Sequence, residues 1–260
     1  MRFATPLLPA RLLRRYKRFL ADVELADGQV LTAVCPNTGS MLGCCEPGSP
    51  VWLSESDSPT RKYRHTWEMV QVGRVRIGIN TGLPNRLVEE AVTRGVIGEL
   101  GGYTTLRREV PFGAERSRVD LLLRADGRPD CYVEVKNVTA AVSAGVALFP
   151  DAVSARGAKH LRELMRLVAD GRRAVLVYCV QRADVREVRP ADAIDPLYGR
   201  TLREALASGV EVLAYGALVT TREIRLQRPL AIHCPSGEVS AQSGRTKMVR
   251  HASPDGKQME

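Results

Sequence analysis

The sequence predicts an α/β protein, a small β-barrel domain followed by a mixed α/β domain. Three observations lead there: strand signals crowd into roughly the first eighty residues, helical periodicity begins only after Pro84, and strands then alternate with helices to about residue 230. Residues 19–25 alternate, with Phe19, Ala21, Val23 and Leu25 on one side and Leu20, Asp22 and Glu24 on the other. Asp27-Gly28 is a tight-turn dipeptide, and residues 30–34 supply a partner strand. The polar loop Pro36-Asn37-Thr38-Gly39-Ser40 and a turn at Glu46-Pro47-Gly48 come before an apolar run at 51–53. Residues 66–72 and 75–79 read as further strands. Five or so short strands in so little chain suggest a barrel, for which the OB type is the natural candidate.

Pro84 suits a first helical turn, and Leu87, Val88, Ala91 and Val92 then form one apolar face. Residues 106–110, 118–124 and 131–138 read as an antiparallel meander with a turn at Asp126-Gly127. Leu161, Leu164, Met165 and Val168 recur at helical spacing, ahead of Gly171. Residues 174–180 are almost continuously apolar, as expected of a strand covered on both faces. A second helix over 197–207 and strands at 210–219 and 223–226 complete the order α-β-β-β-α-β-α-β. The expected division is a barrel over 1–80, an α/β domain over 81–234, and a polar tail over 235–260 without periodicity, expected to be disordered.

Charge narrows the function. Lys plus Arg number 38 against 29 Asp plus Glu, a formal net charge of +9, which favours polyanions: nucleic acid first, an acidic membrane surface second. No apolar run reaches the roughly 18 residues that cross a bilayer. The six cysteines have no C-x-x-C spacing and no paired histidines nearby, which argues against structural zinc and fits a reducing cytoplasm. Arg11, Arg14, Arg15, Lys17 and Arg18 surround Tyr16, and Lys62 and Arg64 flank Tyr63. Cations neutralise phosphates and aromatic rings stack bases, so these residues are the expected nucleic-acid surface.

The chemistry concentrates in Asp120 and in Glu134-Val135-Lys136. Strand side chains alternate, so Glu134 and Lys136 share a face with Cα atoms ~7 Å apart, and Asp120 lies on the preceding strand of the same hairpin. Cys131, Val133 and Val135 occupy the opposite face. Charged groups in the middle of a covered hairpin are costly unless paired or bound to metal; the competing account is a structural salt bridge. Two carboxylates suit Mg²⁺ or Mn²⁺, with Asp120 and Glu134 as the expected metal ligands and Lys136 stabilising developing charge. An Asp followed by Glu-X-Lys on adjacent strands resembles the PD-(D/E)XK nuclease arrangement. A helical Glu often joins such a site, and Glu89 and Glu90 are both available. His160 and Asp151 read as ordinary packing and helix-start residues more than as site members.

Seven stretches carry a resemblance across residues 3–230: LLPARLLRRYKRFLADVEL, CPNTGSMLGCCEPGSPVWLS, PNRLVEEAV, SRVDLLL, CYVEVKNVT, ALFPDAVSARGAKHLREL and VEVLAY. They resemble the sugar fermentation stimulation protein A family. The resemblance implies an OB-like N-terminal domain, a nuclease-like C-terminal domain with Asp120, Glu134 and Lys136 as its site, and non-specific DNA binding. It also implies a regulatory role in sugar, particularly maltose, metabolism. Two readings follow: a DNA binder that still cleaves with Mg²⁺ or Mn²⁺, or a non-enzymatic DNA binder acting as a transcriptional regulator. The strand form of the nucleic acid and homodimerisation are left open by the residues.

Overall fold

The structure is a computed structural model that describes residues 1–112, 117–143 and 145–235. The expected disordered tail lies almost wholly outside these residues. The barrel is built from β1 (Leu8–Tyr16), β2 (Leu20–Glu24), β3 (Val30–Val34), β4 (Pro50–Glu55) and β5 (His65–Val72), with β6 (Val75–Gly78) extending it beside β5. β1 pairs with both β2 and β4, and β5 with β4; a short parallel pairing of β3 with β5 closes the ring. Closure removes the free sheet edges that a five-stranded fragment would otherwise expose. Leu12, Val23, Ala33, Val51, Leu53 and Trp67 fill the interior.

Two sequence expectations change here. β1 was not foreseen as a strand, although Leu8, Ala10 and Leu12 alternate toward the barrel core. In β2 the outer face is covered as well: Asp22 lies under Arg14, Tyr16 and Thr32, all of which bond its carboxylate, and Phe19 drops out of the strand and is 48% exposed.

The second domain runs through α1 (Pro84–Thr93), β7 (Thr105–Phe112), β8 (Ser117–Arg124), β9 (Cys131–Val138), β10 (Ala141–Ser143), β11 (Gly145–Phe149), α2 (Ala155–Ala169), β12 (Arg173–Val180), β13 (Val185–Pro190), α3 (Pro196–Ala207), β14 (Glu211–Val219), β15 (Ile224–Pro229) and β16 (Ala231–Ile232). Its main sheet has the order β15-β14-β12-β9-β8-β7. The meander β7-β8-β9 is antiparallel, whereas β9, β12 and β14 run parallel. One face packs on α1 through Val133, Val135, Val175 and Val177; the other packs on α2 and α3 through Leu176, Tyr178, Leu161 and Leu202. β12 is therefore covered on both sides, which explains its unbroken apolar run.

A second sheet, β10-β11-β13-β16, was not anticipated. Its strands are two to six residues long, too short to declare a period of two in the sequence. The expected boundary also needs correction at the N-terminus. Met1 and Ile224 exchange hydrogen bonds at the start of β15, the Phe3 N–H donates to the Arg222 carbonyl, and Leu7 joins the core under α1. The first seven residues thus pack on the α/β domain before the chain enters the barrel. No helix among the described residues is long and apolar enough to cross a membrane, and all six cysteines are free thiols.

Candidate metal and nucleic-acid site

β8 and β9 pair directly at Leu121–Val133, Leu122–Tyr132 and Leu123–Cys131. Beyond Leu121 that ladder stops, and the Asp120 carboxylate takes the place of a backbone partner: its Oδ2 accepts the Val135 N–H at 2.7 Å. The other oxygen, Oδ1, accepts from the Asn85 side-chain amide at 2.8 Å, from the first turn of α1. Asn85 also donates to Glu109 at 3.2 Å, and Glu109, at φ +51°, falls at the gap in the β7–β8 ladder between the Arg108–Leu121 and Val110–Val119 pairs. Where the strands part, the Asp120 carboxylate is held between Val135 and Asn85, within electrostatic reach of Glu134.

Glu134 is 4% exposed. Its Oε1 accepts from the Lys136 ammonium at 2.5 Å and from His160 Nδ1. Arg156 Nε donates to His160 Nε2 at 3.1 Å, and a guanidinium can only donate, so Nε2 is the acceptor and the ring proton sits on Nδ1. Among the described residues no donor reaches Glu134 Oε2, the oxygen left for another ligand. Burial alone would raise the Glu134 carboxyl, but the His160 hydrogen bond and the Lys136 charge outweigh it and hold it below the ordinary range. Asp120 moves the other way: burial first, then the Glu134 charge, lift it above the ordinary value against the Val135 and Asn85 hydrogen bonds. A divalent cation between two mutually repelling carboxylates relieves that repulsion, so the donor set fits Mg²⁺ or Mn²⁺. Among the described residues no group of three or more His, Cys, Asp or Glu side chains is arranged to hold a metal, so water and phosphate oxygens would have to complete the shell.

Asp120, Glu134 and Lys136 are therefore brought together. Of the two helical glutamates, Glu89 shares its helix face with Asn85 and pairs with Arg108 at 3.0 Å, whereas Glu90 turns to the Met1 ammonium at 2.6 Å and Arg94. Sequence reasoning missed Asn85 and Glu109 and undervalued His160. Only the i, i+4 spacing of Arg156 and His160 hinted that both share one face of α2. Asp151 does not start the helix, a role taken by Ser154, which accepts from the Gly157 N–H. Instead Asp151 binds the barrel loop, accepting from the Ser40 hydroxyl at 3.1 Å and the Met41 N–H at 3.2 Å. It lies so close to Gly39 that a Cβ there would come within 2.8 Å of its carboxylate.

The cations proposed from sequence for nucleic acid separate into two groups. Arg15 is turned inward and donates to the carbonyls of Arg18, Asn37 and Gly39 at 2.8–2.9 Å, so its place is structural. Arg14 pairs with Asp22 and stacks on Tyr16, Tyr16 donates to Asp22, and Arg64 pairs with Glu55 at 3.1 Å. Arg11 and Arg18 each reach one carbonyl but remain exposed, and Lys62 lies over the Tyr63 ring. Lys17 has no ion-pair partner among the described residues. Lys17 (φ +48°) and Arg18 (φ +64°) are both left-handed, and with Phe19 they form the exposed tip of the β1–β2 hairpin. Strain of this kind persists where the surroundings hold it, often at binding sites. Arg15→Ala should lower stability by about 1–3 kcal/mol in urea melts because three carbonyls lose a charged donor, while Lys17→Ala should stay within about 0.5 kcal/mol of the parent.

Comparison with known proteins agrees with this architecture. The family described as "SfsA N-terminal OB domain" matches residues 13–79, and "Sugar fermentation stimulation protein RE domain" matches residues 82–223. A sugar fermentation stimulation protein homolog from Thioalkalivibrio sulfidiphilus (strain HL-EbGR7) is 63% identical over 232 residues, 89% of this chain and 98% of that protein. Another, from Geobacter metallireducens, is 60% identical over 233 residues, 89% of this chain and 99% of that protein. Among solved structures, "The structure of Pyrococcus Furiosus SfsA in complex with Ca2+" superposes with a TM-score of 0.81 at 28% identity, covering 90% of this chain and 98% of that one. With both domain families matched in order along nearly all of the described residues, the chain belongs to the sugar fermentation stimulation protein family.

Proposed function

We propose that this protein is a cytoplasmic DNA-binding protein that cleaves the phosphodiester backbone with Mg²⁺ or Mn²⁺, in the manner of PD-(D/E)XK nucleases. The observation that carries the reading is the parting of β8 from β9, which sets the Asp120 and Glu134 carboxylates and the Lys136 ammonium in one place. Asp120 and Glu134, through its Oε2, would hold the cation. When bound, the cation would polarise the phosphate and lower the pKa of a water molecule. Asn85 and the Val135 N–H fix the orientation of Asp120, and His160 fixes that of Glu134. Lys136 would present positive charge where negative charge accumulates on the phosphate. The relation to a Pyrococcus furiosus protein described in complex with Ca²⁺ supports a divalent-cation site. The exposed Lys17-Arg18-Phe19 tip and the net charge of +9 support DNA as the polyanion, held without sequence preference. A regulatory role in sugar metabolism would be exerted through that DNA.

The test is cleavage of supercoiled plasmid and of labelled single-stranded DNA by purified protein with Mg²⁺, with Mn²⁺, and with EDTA. Cation-dependent nicking or shortening that disappears in Lys136→Ala is the expected result. Equal turnover in the parent and Lys136→Ala would assign the activity to a contaminant and end the reading.

A further inference from the structure

We infer that Arg156 is a substrate-phosphate contact of this site, with His160 as the positioning residue that holds both Arg156 and the Glu134 carboxylate. The inference rests on the phosphodiester reading above and adds to it a recognition residue on α2. Arg156 is exposed, yet its Nε is committed to His160 Nε2, one helical turn on, at 3.1 Å. That bond fixes the guanidinium plane and leaves the two terminal amino groups at its outer edge. Among the described residues no carboxylate pairs with them, whereas Arg108 pairs with Glu89, Arg124 with Asp130, Arg173 with Glu211, Arg182 with Asp184 and Arg203 with Asp192.

His160 is nearly buried, with 11% of its side chain exposed, and its Nδ1 lies against Glu134 Oε1 and 3.2 Å from the Lys136 ammonium. One rigid imidazole thus connects an outward guanidinium to the carboxylate proposed to hold the cation. A guanidinium presents parallel N–H groups that match two oxygens of a phosphate, which an ammonium cannot do. The ligand chemistry that fits is the non-bridging oxygen pair of a DNA backbone phosphate, at or next to the one engaged by Lys136. With the Nε used inside the protein, the arginine is ordered before DNA arrives, which reduces the entropy lost on binding.

The test is fluorescence anisotropy with a labelled oligonucleotide, in EDTA so that no cleavage occurs, over a series of salt concentrations. Arg156→Ala should weaken binding about tenfold and reduce the log–log salt slope by roughly 0.7–0.9, the signature of one lost phosphate contact. Arg156→Lys should recover the slope but not the affinity. His160→Ala should weaken binding as well, and the double variant should be no weaker than the weaker single one, because the two residues act as a unit. Arg162→Ala, an exposed arginine on the same helix, should leave the slope within error of the parent. Parent-like affinity and slope in Arg156→Ala, with the parent still binding DNA, would overturn this inference and leave the cleavage reading standing. An equal loss in Arg162→Ala would also overturn it by reducing the effect to general charge. Failure of the parent to bind any DNA would remove both.

Discussion

Glu134→Ala is expected to abolish cation-dependent cleavage, by a factor of about 10³ or more, and to destabilise the fold at the same time. Glu134 is 5% exposed at its side chain and is the acceptor shared by Lys136 and His160, whose side chains are only 14% and 11% exposed. Removing it leaves a nearly buried ammonium without its hydrogen-bonded counter-ion, and breaking such a pair costs about 3–5 kcal/mol. Urea denaturation at neutral pH measures this directly. The loss belongs to the stranded charge more than to the missing carboxylate, so the double variant Glu134→Gln with Lys136→Met should regain most of the stability. It should remain inactive. A double variant as unstable as Glu134→Ala would show that the pair stabilises the fold on its own account.

Asp120→Asn should separate stability from function in the opposite direction. The Asp120 carboxyl is raised by burial and by Glu134, so its contribution to stability is fully present below its unfolded value near 4 and is lost as pH rises through the folded value. At neutral pH the ionised group is therefore a liability in the metal-free protein. An asparagine keeps the Val135 N–H bond through its carbonyl, and the Asn85 amide can turn to accept from the new NH₂ group, giving up only its longer bond to the exposed Glu109. The melting temperature without metal should rise by a few degrees at pH 7–8, and the difference from the parent should vanish toward pH 4. Cleavage should fall by about 10² or more, since one of the two proposed charged ligands is gone. Added Mg²⁺ or Ca²⁺ should raise the parent's melting temperature, as expected of a ligand that binds only the folded state, and should leave Asp120→Asn unmoved. A variant that melts below the parent at pH 8, or that still responds to the cation, would contradict the proposed arrangement. Glu134 behaves conversely: its lowered value adds stability above its unfolded value, lost as pH falls through the folded one. The metal-free protein should therefore be most stable in mildly acidic to neutral solution.

Much of the framework was legible residue by residue. The meander, its Asp126-Gly127 turn, α2 and the doubly covered β12 all follow from short-range periodicity, because burial on a strand or helix repeats every two or 3.6 residues. The same alternation placed Glu134 and Lys136 on one face opposite Val133 and Val135, and the structure keeps that division. β10, β11, β13 and β16 escaped because they are short and because a second sheet exists only by virtue of partners distant in the chain. β1 escaped because its basic residues hid the alternation of Leu8, Ala10 and Leu12.

The site divides along the same line. By itself the sequence determined which chemistry was available: two acids and an amine on neighbouring strands, a basic N-terminal domain, and a two-domain order of barrel then α/β. Only the tertiary structure decided which groups complete the arrangement, since Asn85 reaches Asp120 across 35 positions and His160 reaches Glu134 across 26. It likewise turned Arg15 inward onto the Asn37 and Gly39 carbonyls, left Lys17 outward, and moved Asp151 from a helix start to an inter-domain contact. Periodicity reports which side of an element a residue occupies. It carries no information on what stands across the gap, and hydrogen bonds and ion pairs act only at distances of a few ångströms.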